Sequence, residues 1–192
     1  MLRLVLASTS KYRRRQLEAL GLDFWSEAPG VDEDAEKARV SNPETLSVLL
    51  ATLKAEAVFA RHPGAVVIGG DQLVSLDGEI LGKPGTPERA VAQLEMLSGR
   101  THTLFTAVCV LSPFGVATHL DRTRLTVRSL GRAALERYVS SDDPLDCAGS
   151  YKFEQGGAAL FRRVETEDPS AITGLPLLAL VRLLAEAGIN VP

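Results

Sequence analysis

The chain has 192 residues, 45% of them apolar and 23% charged; this is ordinary globular composition, which excludes a disordered or fibrous chain and makes one domain the expectation. Lys and Arg total 21 against 24 Asp and Glu, a formal charge of -3, so the basic excess of a general nucleic-acid binder is missing. Cys109 and Cys147 stand far apart, which argues for a reducing compartment and against a disulfide framework or zinc knuckle.

His62, His102 and His119 are scattered without the spacing of a metal-ligand pair, so a histidine-built zinc site is not expected. The apolar run at residues 2–6 is too short for a signal-peptide core and is interrupted by Arg3. The longest apolar run, residues 175–181, contains Pro176 and falls well short of the ~20 residues of a membrane span. The expectation is a soluble, cytoplasmic protein that engages neither membrane nor nucleic acid.

In chain order, residues 2–6 read as a strand buried on both faces, the parallel-sheet type. A small polar loop, Ala7-Ser8-Thr9-Ser10, leads into a basic helix start, and Gly21 is the helix stop. Residues 43–61 carry Pro43 in the first turn and Leu46, Leu49, Leu50, Leu53 and Ala57 at helical spacing. Val66-Val67-Ile68 reads as a second buried strand, ended by Gly69-Gly70-Asp71-Gln72. Residues 73–81 then form a short hairpin around Asp77-Gly78. A third helix runs from an N-cap at Thr86, through Pro87, to Leu97, where Ser98-Gly99 ends it. Residues 102–111 and 116–128 pair as an antiparallel hairpin, with Leu125 and Val127 alternating with Thr126 and Arg128. Residues 131–139 are helical, 140–173 loop-rich, and 175–187 a last helix with Leu177, Leu180, Val181 and Leu184 on one face. Strands and helices alternate early and antiparallel strands dominate the middle, so the fold class is mixed α/β.

Several stretches carry groups suited to chemistry. Around Ser8-Thr9-Ser10-Lys11-Tyr12-Arg13-Arg14, hydroxyls and guanidinium forks meet a helix N-terminus, whose unpaired N–H groups attract phosphate. The alternative is an N-cap serine beside a solvated basic turn; the usual P-loop pattern is absent. Asp71, after a buried strand, sits where α/β sheets place their ligands, and its glycines let backbone approach a substrate. A plain turn aspartate is the competing reading. Val31-Asp32-Glu33-Asp34 gives three consecutive acids, either a solvated loop or oxygen ligands for Mg²⁺ on substrate phosphates. Lys83 stands in the rigid Gly82-Lys83-Pro84 turn, either solvated, the commoner case, or catalytic. Lys54 borders the apolar stripe of its helix, either snorkelling or facing a cleft.

Taken in order, Ser8-x-Ser10-x-x-Arg13-Arg14, Val31-Asp32-Glu33, Lys54, Gly70-Asp71-Gln72, Gly82-Lys83-Pro84 and Ala148-Gly149-Ser150-Tyr151 resemble the Maf family of nucleoside triphosphate pyrophosphatases. The resemblance runs from Leu2 to Leu177. The stretch from Cys147 to Glu154, with Thr173-Gly174-Leu175-Pro176-Leu177, looks most like the bacterial branch that hydrolyses 7-methyl-GTP. Lys11 departs from the family, which commonly has proline there; the helix start is less rigidly preset, but no ligand is lost.

The resemblance implies a single domain over residues 1–192, an elongated twisted sheet flanked by helices (Maf/ITPase-like) with two lobes around a nucleotide cleft, and a homodimer. It implies cleavage of the α–β phosphoanhydride of modified nucleotides with a divalent cation of the Mg or Mn type. Asp71 is then the general base. Glu33 and Asp71 hold the cation, with Asp32 a further candidate. Ser8, Arg13, Lys54 and Lys83 balance triphosphate charge as it shifts onto the leaving pyrophosphate.

N7-methylation leaves the purine cationic, which favours an aromatic platform and a carboxylate. Tyr12 supplies the ring, Glu154 accepts from the guanine N1–H and amino group, and Gln72 completes the polar edge. The competing reading packs Tyr12 in a rim and leaves Glu154 solvated. The alternative enzyme is the sister branch acting on dTTP and UTP, which looks to carry glutamine at the Glu154 position. From another class, the alternative is a non-catalytic nucleotide-binding regulator of septation.

Overall fold

The N-terminal apolar run forms β1 (Leu4–Ala7), every residue of it buried; the computed structural model describes residues 2–191. β1 pairs in parallel with β2 (Trp25–Ser26) and with β3 (Val66–Leu76), Leu4 opposite Val66 and Ala7 opposite Gly69. β4 (Glu79–Leu81) returns antiparallel to β3. Asp77 and Gly78 between them take φ of 51° and 91°, the left-handed geometry of a tight hairpin. With β5 (Thr101–Ser112), β6 (Gly115–Val127) and β7 (Phe161–Glu165), the described residues form a seven-stranded mixed sheet. Its order is β2-β1-β3-β5-β6-β7, with β4 pairing to β3 off that path. The helices are α1 (Lys11–Ala19), α2 (Glu33–Arg39), α3 (Pro43–Phe59), α4 (Pro87–Leu97), α5 (Arg132–Asp142) and α6 (Leu177–Glu186). The mixed α/β class is the one implied by the sequence.

The chain divides into two compact units, Met1–Asp71 with Thr106–Asp121 and Asp168–Pro192, and Gln72–Phe105 with Arg122–Glu167. In the first, the sheet is covered on both faces. Leu4, Leu6, Val66 and Ile68 pack with Leu17 of α1 and with Leu180, Leu183 and Leu184 of α6. Val5, Ala7 and Val67 pack instead with Ala51, Ala55 and Val58 of α3. That alternation is what a period of two demands of a strand with helices on either side, and each fully buried leucine contributes roughly 1.5–3 kcal/mol. In the second unit, Ala90, Val91 and Leu94 of α4 meet Leu135 and Val139 of α5 in a core with Tyr151 and Leu160.

The structure corrects several sequence expectations. β3 does not end at Ile68 but continues through Gly69-Gly70 to Leu76. A Cβ on Gly69 would lie 2.1 Å from the Ala51 carbonyl oxygen, so this glycine lets α3 cross close to the strand. The acidic stretch is not a loop beyond Asp32. Asp32 caps α2 by accepting from Ala35 N–H at 3.1 Å, and Glu33, Asp34 and Glu36 fill the first turn, where the helix dipole favours acids. Inside the loop-rich stretch 140–173, β7 pairs antiparallel with β6, Val164 opposite Leu125. Its Arg162 and Arg163 are exposed, so no apolar alternation announces it.

Candidate functional site

β1 stops at Ala7, whereas its parallel neighbour β3 runs on past Gly69. Asp71 therefore stands just beyond the end of the parallel ladder, where the chain leaving β1 has turned away as Ser8-Thr9-Ser10. Ser8 N–H donates to Leu6 O at 2.9 Å, and Ser10 N–H to Ser8 Oγ at 3.1 Å. Ser10 Oγ accepts from Arg13 N–H at 3.4 Å as the N-cap of α1. That cap presets the helix start without a proline at Lys11.

Arg13 reaches back from the first turn of α1. Its Nε donates to Gly174 O at 3.0 Å and its Nη1 to Ser8 Oγ at 3.4 Å. A Cβ on Gly70 would come within 3.2 Å of Arg13 Nε and 3.0 Å of Leu175 Cδ2. The two glycines thus admit other parts of the protein, α3 at one and the guanidinium at the other, rather than the substrate the sequence reading gave them. Burial pulls the Arg13 pKa below its ordinary value, opposed by the charges of Asp71 and then Glu33. A guanidinium stays protonated throughout.

α3 presents Lys54 to the same point. Lys54 is 6% exposed and Asp71 4%. Lys54 Nζ donates to Asp71 Oδ1 at 2.6 Å and pairs with Glu33 Oε1 at 2.7 Å. The ammonium does not snorkel to water; two carboxylates hold it, and a buried charge needs such partners. Asp71 Oδ2 is buried without a hydrogen-bond partner among the described residues. A carboxylate oxygen withdrawn from water without a donor is costly, and a cation, water or substrate would satisfy it. Glu33 is more open, its side chain 41% exposed and its second oxygen 3.7 Å from Lys37 Nζ. Asp32 is exposed, with one oxygen used in capping α2.

Ser8, Arg13, Glu33, Lys54 and Asp71 are thus gathered in the first unit. Tyr12 is half-buried on α1 beside Arg13, with Lys11 Nζ 4.9 Å from its ring centroid. A polar cavity of about 270 Å³ opens beside the loop, lined by Ser8, Thr9, Ser10, Arg14, Ser26 and Glu27. Glu27 has no motif to announce it. It meets His62 Nε2 at 2.6 Å and Arg61 Nε at 2.5 Å, and those bonds hold its carboxyl below the usual range, His62 most.

The remaining sequence candidates belong to the second unit. Gln72 is half-buried and next to Asp71 on β3, so the pleat sends their side chains to opposite faces. Lys83 is exposed after β4, without an ion pair among the described residues. Glu154 is exposed in the turn at residues 153–155. Nearby, Lys152 is buried and structural in its contacts, Nζ donating to Asp142 O and Asp143 O at 2.7 Å each.

The Maf-like protein family matches residues 3–187. The chain belongs to the Maf family. This bears out the resemblance read from the motifs. The chain is 47% identical over 186 residues to the 7-methyl-GTP pyrophosphatase of Bdellovibrio bacteriovorus, with 97% of each chain covered. It is 48% identical over 192 residues to the 7-methyl-GTP pyrophosphatase of Xanthomonas oryzae pv. oryzae, covering 100% of each. With that of Pseudomonas aeruginosa the identity is 44% over 191 residues and 98% of each.

Maf resemblance implies a divalent cation, and the donors present fit one. Glu33 and Asp71 are hard oxygen ligands meeting at Lys54, and Asp71 Oδ2 has no hydrogen-bond partner among the described residues. Among the described residues no three His, Cys, Asp or Glu side chains gather to hold a metal ion by themselves. A cation here would complete its shell with substrate phosphates and water, the usual Mg²⁺ arrangement.

Proposed function

We propose that this Maf-family chain hydrolyses the α–β phosphoanhydride of nucleoside triphosphates, 7-methyl-GTP foremost, giving 7-methyl-GMP and diphosphate. The full-length likeness to relatives named 7-methyl-GTP pyrophosphatase carries this reading. Asp71 supports it with a mechanism.

A water oxygen attacks the α-phosphorus, the bond from that phosphorus to the bridging oxygen breaks, and the bridging oxygen leaves with the diphosphate. Asp71 Oδ2 accepts the proton that the water loses and aims the water in line. Lys54 fixes Asp71 Oδ1 and ties Glu33 to the same point, so it acts through two carboxylates. Arg13, steadied by Ser8 and Gly174, and Lys83 offset the negative charge building on the diphosphate. A divalent cation held by Glu33 and Asp71 would neutralise phosphate charge and make water more acidic. Tyr12 is assigned to the base as a platform, Glu154 as an anionic acceptor and Gln72 as a polar edge, a set suited to a cationic methylated guanine.

The same reading takes the protein to be a cytoplasmic homodimer acting on free nucleotides. No described helix is long and apolar enough to cross a membrane. Pyrophosphate release from 7-methyl-GTP, GTP, dTTP and UTP, with and without Mg²⁺ or Mn²⁺, tests the proposal. The expected result is the highest kcat/KM on 7-methyl-GTP with metal. A preference for dTTP or UTP would assign the sister specificity, and no release from any nucleotide would point to a binding regulator.

A further inference from the structure

Gln93 of α4 uses both ends of its side-chain amide inside the second unit. Its Nε2 donates to Gly82 O at 2.9 Å, and its Oε1 accepts from Ser150 Oγ at 2.6 Å. An amide offers a donor and an acceptor side by side, so one side chain serves two chain segments. Gly82 immediately precedes Lys83, and Ser150 opens the stretch that leads through Tyr151 to Glu154.

Neither segment is held by a ladder. Between β4 and α4, Gly85 N–H donates to Leu145 O at 3.2 Å, and Thr86 Oγ1 accepts from Arg89 N–H at 3.3 Å as the N-cap of α4. The second segment is strained, because Gly149 and Ser150 both take positive φ, 74° and 63°, and Ser150 is not a glycine. A residue in that region persists only where its surroundings hold it. Ser150 is fully buried, and a Cβ on Gly149 would meet Tyr151 Cε1 at 2.9 Å and Val74 Cγ2 at 3.0 Å. Packing thus holds the loop on one side and Gln93 on the other. α4 is itself anchored by Ala90, Val91 and Leu94 in the core.

We infer that Gln93 is a positioning residue that locks the Lys83 turn and the Ser150 loop to one rigid helix. Its bearing on turnover rests on the proposed role of Lys83. Lys83 has no ion pair among the described residues, so its backbone determines where its ammonium reaches.

Gln93→Glu keeps the acceptor toward Ser150 but turns a second acceptor toward Gly82 O; Gln93→Met removes both bonds at similar length. Ser150→Ala leaves the Gly82 bond intact. Hydrogen–deuterium exchange on the full chain reads the clamp without reference to activity. Gly85 N–H is expected to exchange about tenfold faster in both Gln93 variants, and Ser150 N–H in Gln93→Met and Ser150→Ala. Exchange unchanged from wild type at both segments would overturn the inference. In turnover of 7-methyl-GTP, Gln93→Glu should lower kcat/KM about ten- to a hundredfold, as misplacement of a reacting group does. That loss should vanish in a Lys83→Ala background. A loss just as large in that background would overturn the inference by showing that Gln93 does not act through Lys83. Full activity of Lys83→Ala alone would overturn the reading of Lys83, and with it the catalytic part of this inference, whatever the exchange shows.

Discussion

Lys54 Nζ lies 2.6 Å from Asp71 Oδ1, and the other oxygen of that carboxylate is buried with no hydrogen bond among the described residues. The two oxygens therefore have different work. Lys54, brought by α3, fixes one and stops the carboxylate from turning. The other is left as an acceptor at the end of the parallel ladder, beside the Arg13 guanidinium. Three elements supply this arrangement: β3 carries the acid, α3 the lysine, and the first turn of α2 the second carboxylate, Glu33.

Asp71→Asn keeps shape but cannot accept the proton. It should lower kcat about 10²–10⁴-fold, the usual loss with a general base, and EDTA should suppress wild-type turnover. Pyrophosphate release measures both. Wild-type kcat in the variant would remove Asp71 from the mechanism, and activity indifferent to EDTA would remove the cation.

Lys54→Met leaves Asp71 buried without its bonded cation. Breaking a buried ion pair from one side costs about 3–5 kcal/mol, and Lys54→Met/Asp71→Asn should recover most of it while remaining inactive. Urea unfolding of the wild type, both single variants and the double variant measures the coupling. Additive losses would show that the pair does not act as a unit.

Arg13 and Lys83 should separate in stability although both lower kcat/KM. Arg13→Ala removes the bonds to Gly174 O and Ser8 Oγ, a loss of about 1–3 kcal/mol. Lys83→Ala alters an exposed side chain without an ion pair among the described residues and should shift stability by less than about 0.5 kcal/mol. Thermal midpoints beside kinetics check this. A large midpoint drop in Lys83→Ala would make it a structural residue.

Burial is what made much of the fold legible. Residues 2–6 and Val66-Val67-Ile68 read correctly as strands because each had to be covered by another element. The helix at 43–61 also read correctly, but its buried face is Leu46, Leu50, Ala51, Ala55 and Val58, with Leu49, Leu53 and Ala57 only half-buried. Gly69 misled because a sequence does not distinguish a glycine in a turn from one beneath a helix; the difference is the Ala51 carbonyl of α3. α2 reads as a loop in the sequence because it buries no residue and so has no apolar stripe. Its signals were instead electrostatic: Asp32 as cap, acids in the first turn, Lys37 and Arg39 in the last. The meeting of Lys54 with Asp71 and Glu33 is a tertiary fact. Gln93 carries no signal in the sequence, because a bond to a backbone carbonyl such as Gly82 O follows no residue pattern.

His102 gives a stability prediction in acid. It is 2% exposed, Nε2 lies 3.1 Å from the Tyr151 hydroxyl, and Nδ1 is buried without a partner among the described residues. Burial pushes its pKa from 6.5 down to about 4. Below pH 6.5 the unfolded chain takes up a proton that the folded chain refuses, so stability falls from there until about pH 4, where the folded form also protonates. Between pH 7 and pH 5 the loss is about 2 kcal/mol. His102→Phe keeps a ring between Tyr151 and Phe161 and should flatten that part of the profile. Urea unfolding at pH 7, 6 and 5 compares the slopes; equal slopes would mean that other groups dominate.

Glu154 stands exposed in its turn, with no hydrogen bond or ion pair among the described residues. Glu154→Gln should therefore leave the thermal midpoint unchanged, and any effect on turnover is chemical. A carboxylate accepts from both the N1–H and the amino group of guanine and is attracted to the positive charge of the methylated ring. Glutamine accepts with its oxygen but presents a donor on the other side, and the attraction is gone. Charge-assisted bonds are about twice as strong as neutral ones, so preference for 7-methyl-GTP over UTP should fall roughly 10–100-fold. Activity on UTP and dTTP should hold or rise. Tyr12→Ala should shift selection the same way by removing the platform. The measurement is the ratio of kcat/KM between substrates, because that ratio reports differential transition-state binding. Equal losses on every nucleotide would make both residues scaffold. A ratio unchanged from wild type would move recognition of the methylated base to other side chains.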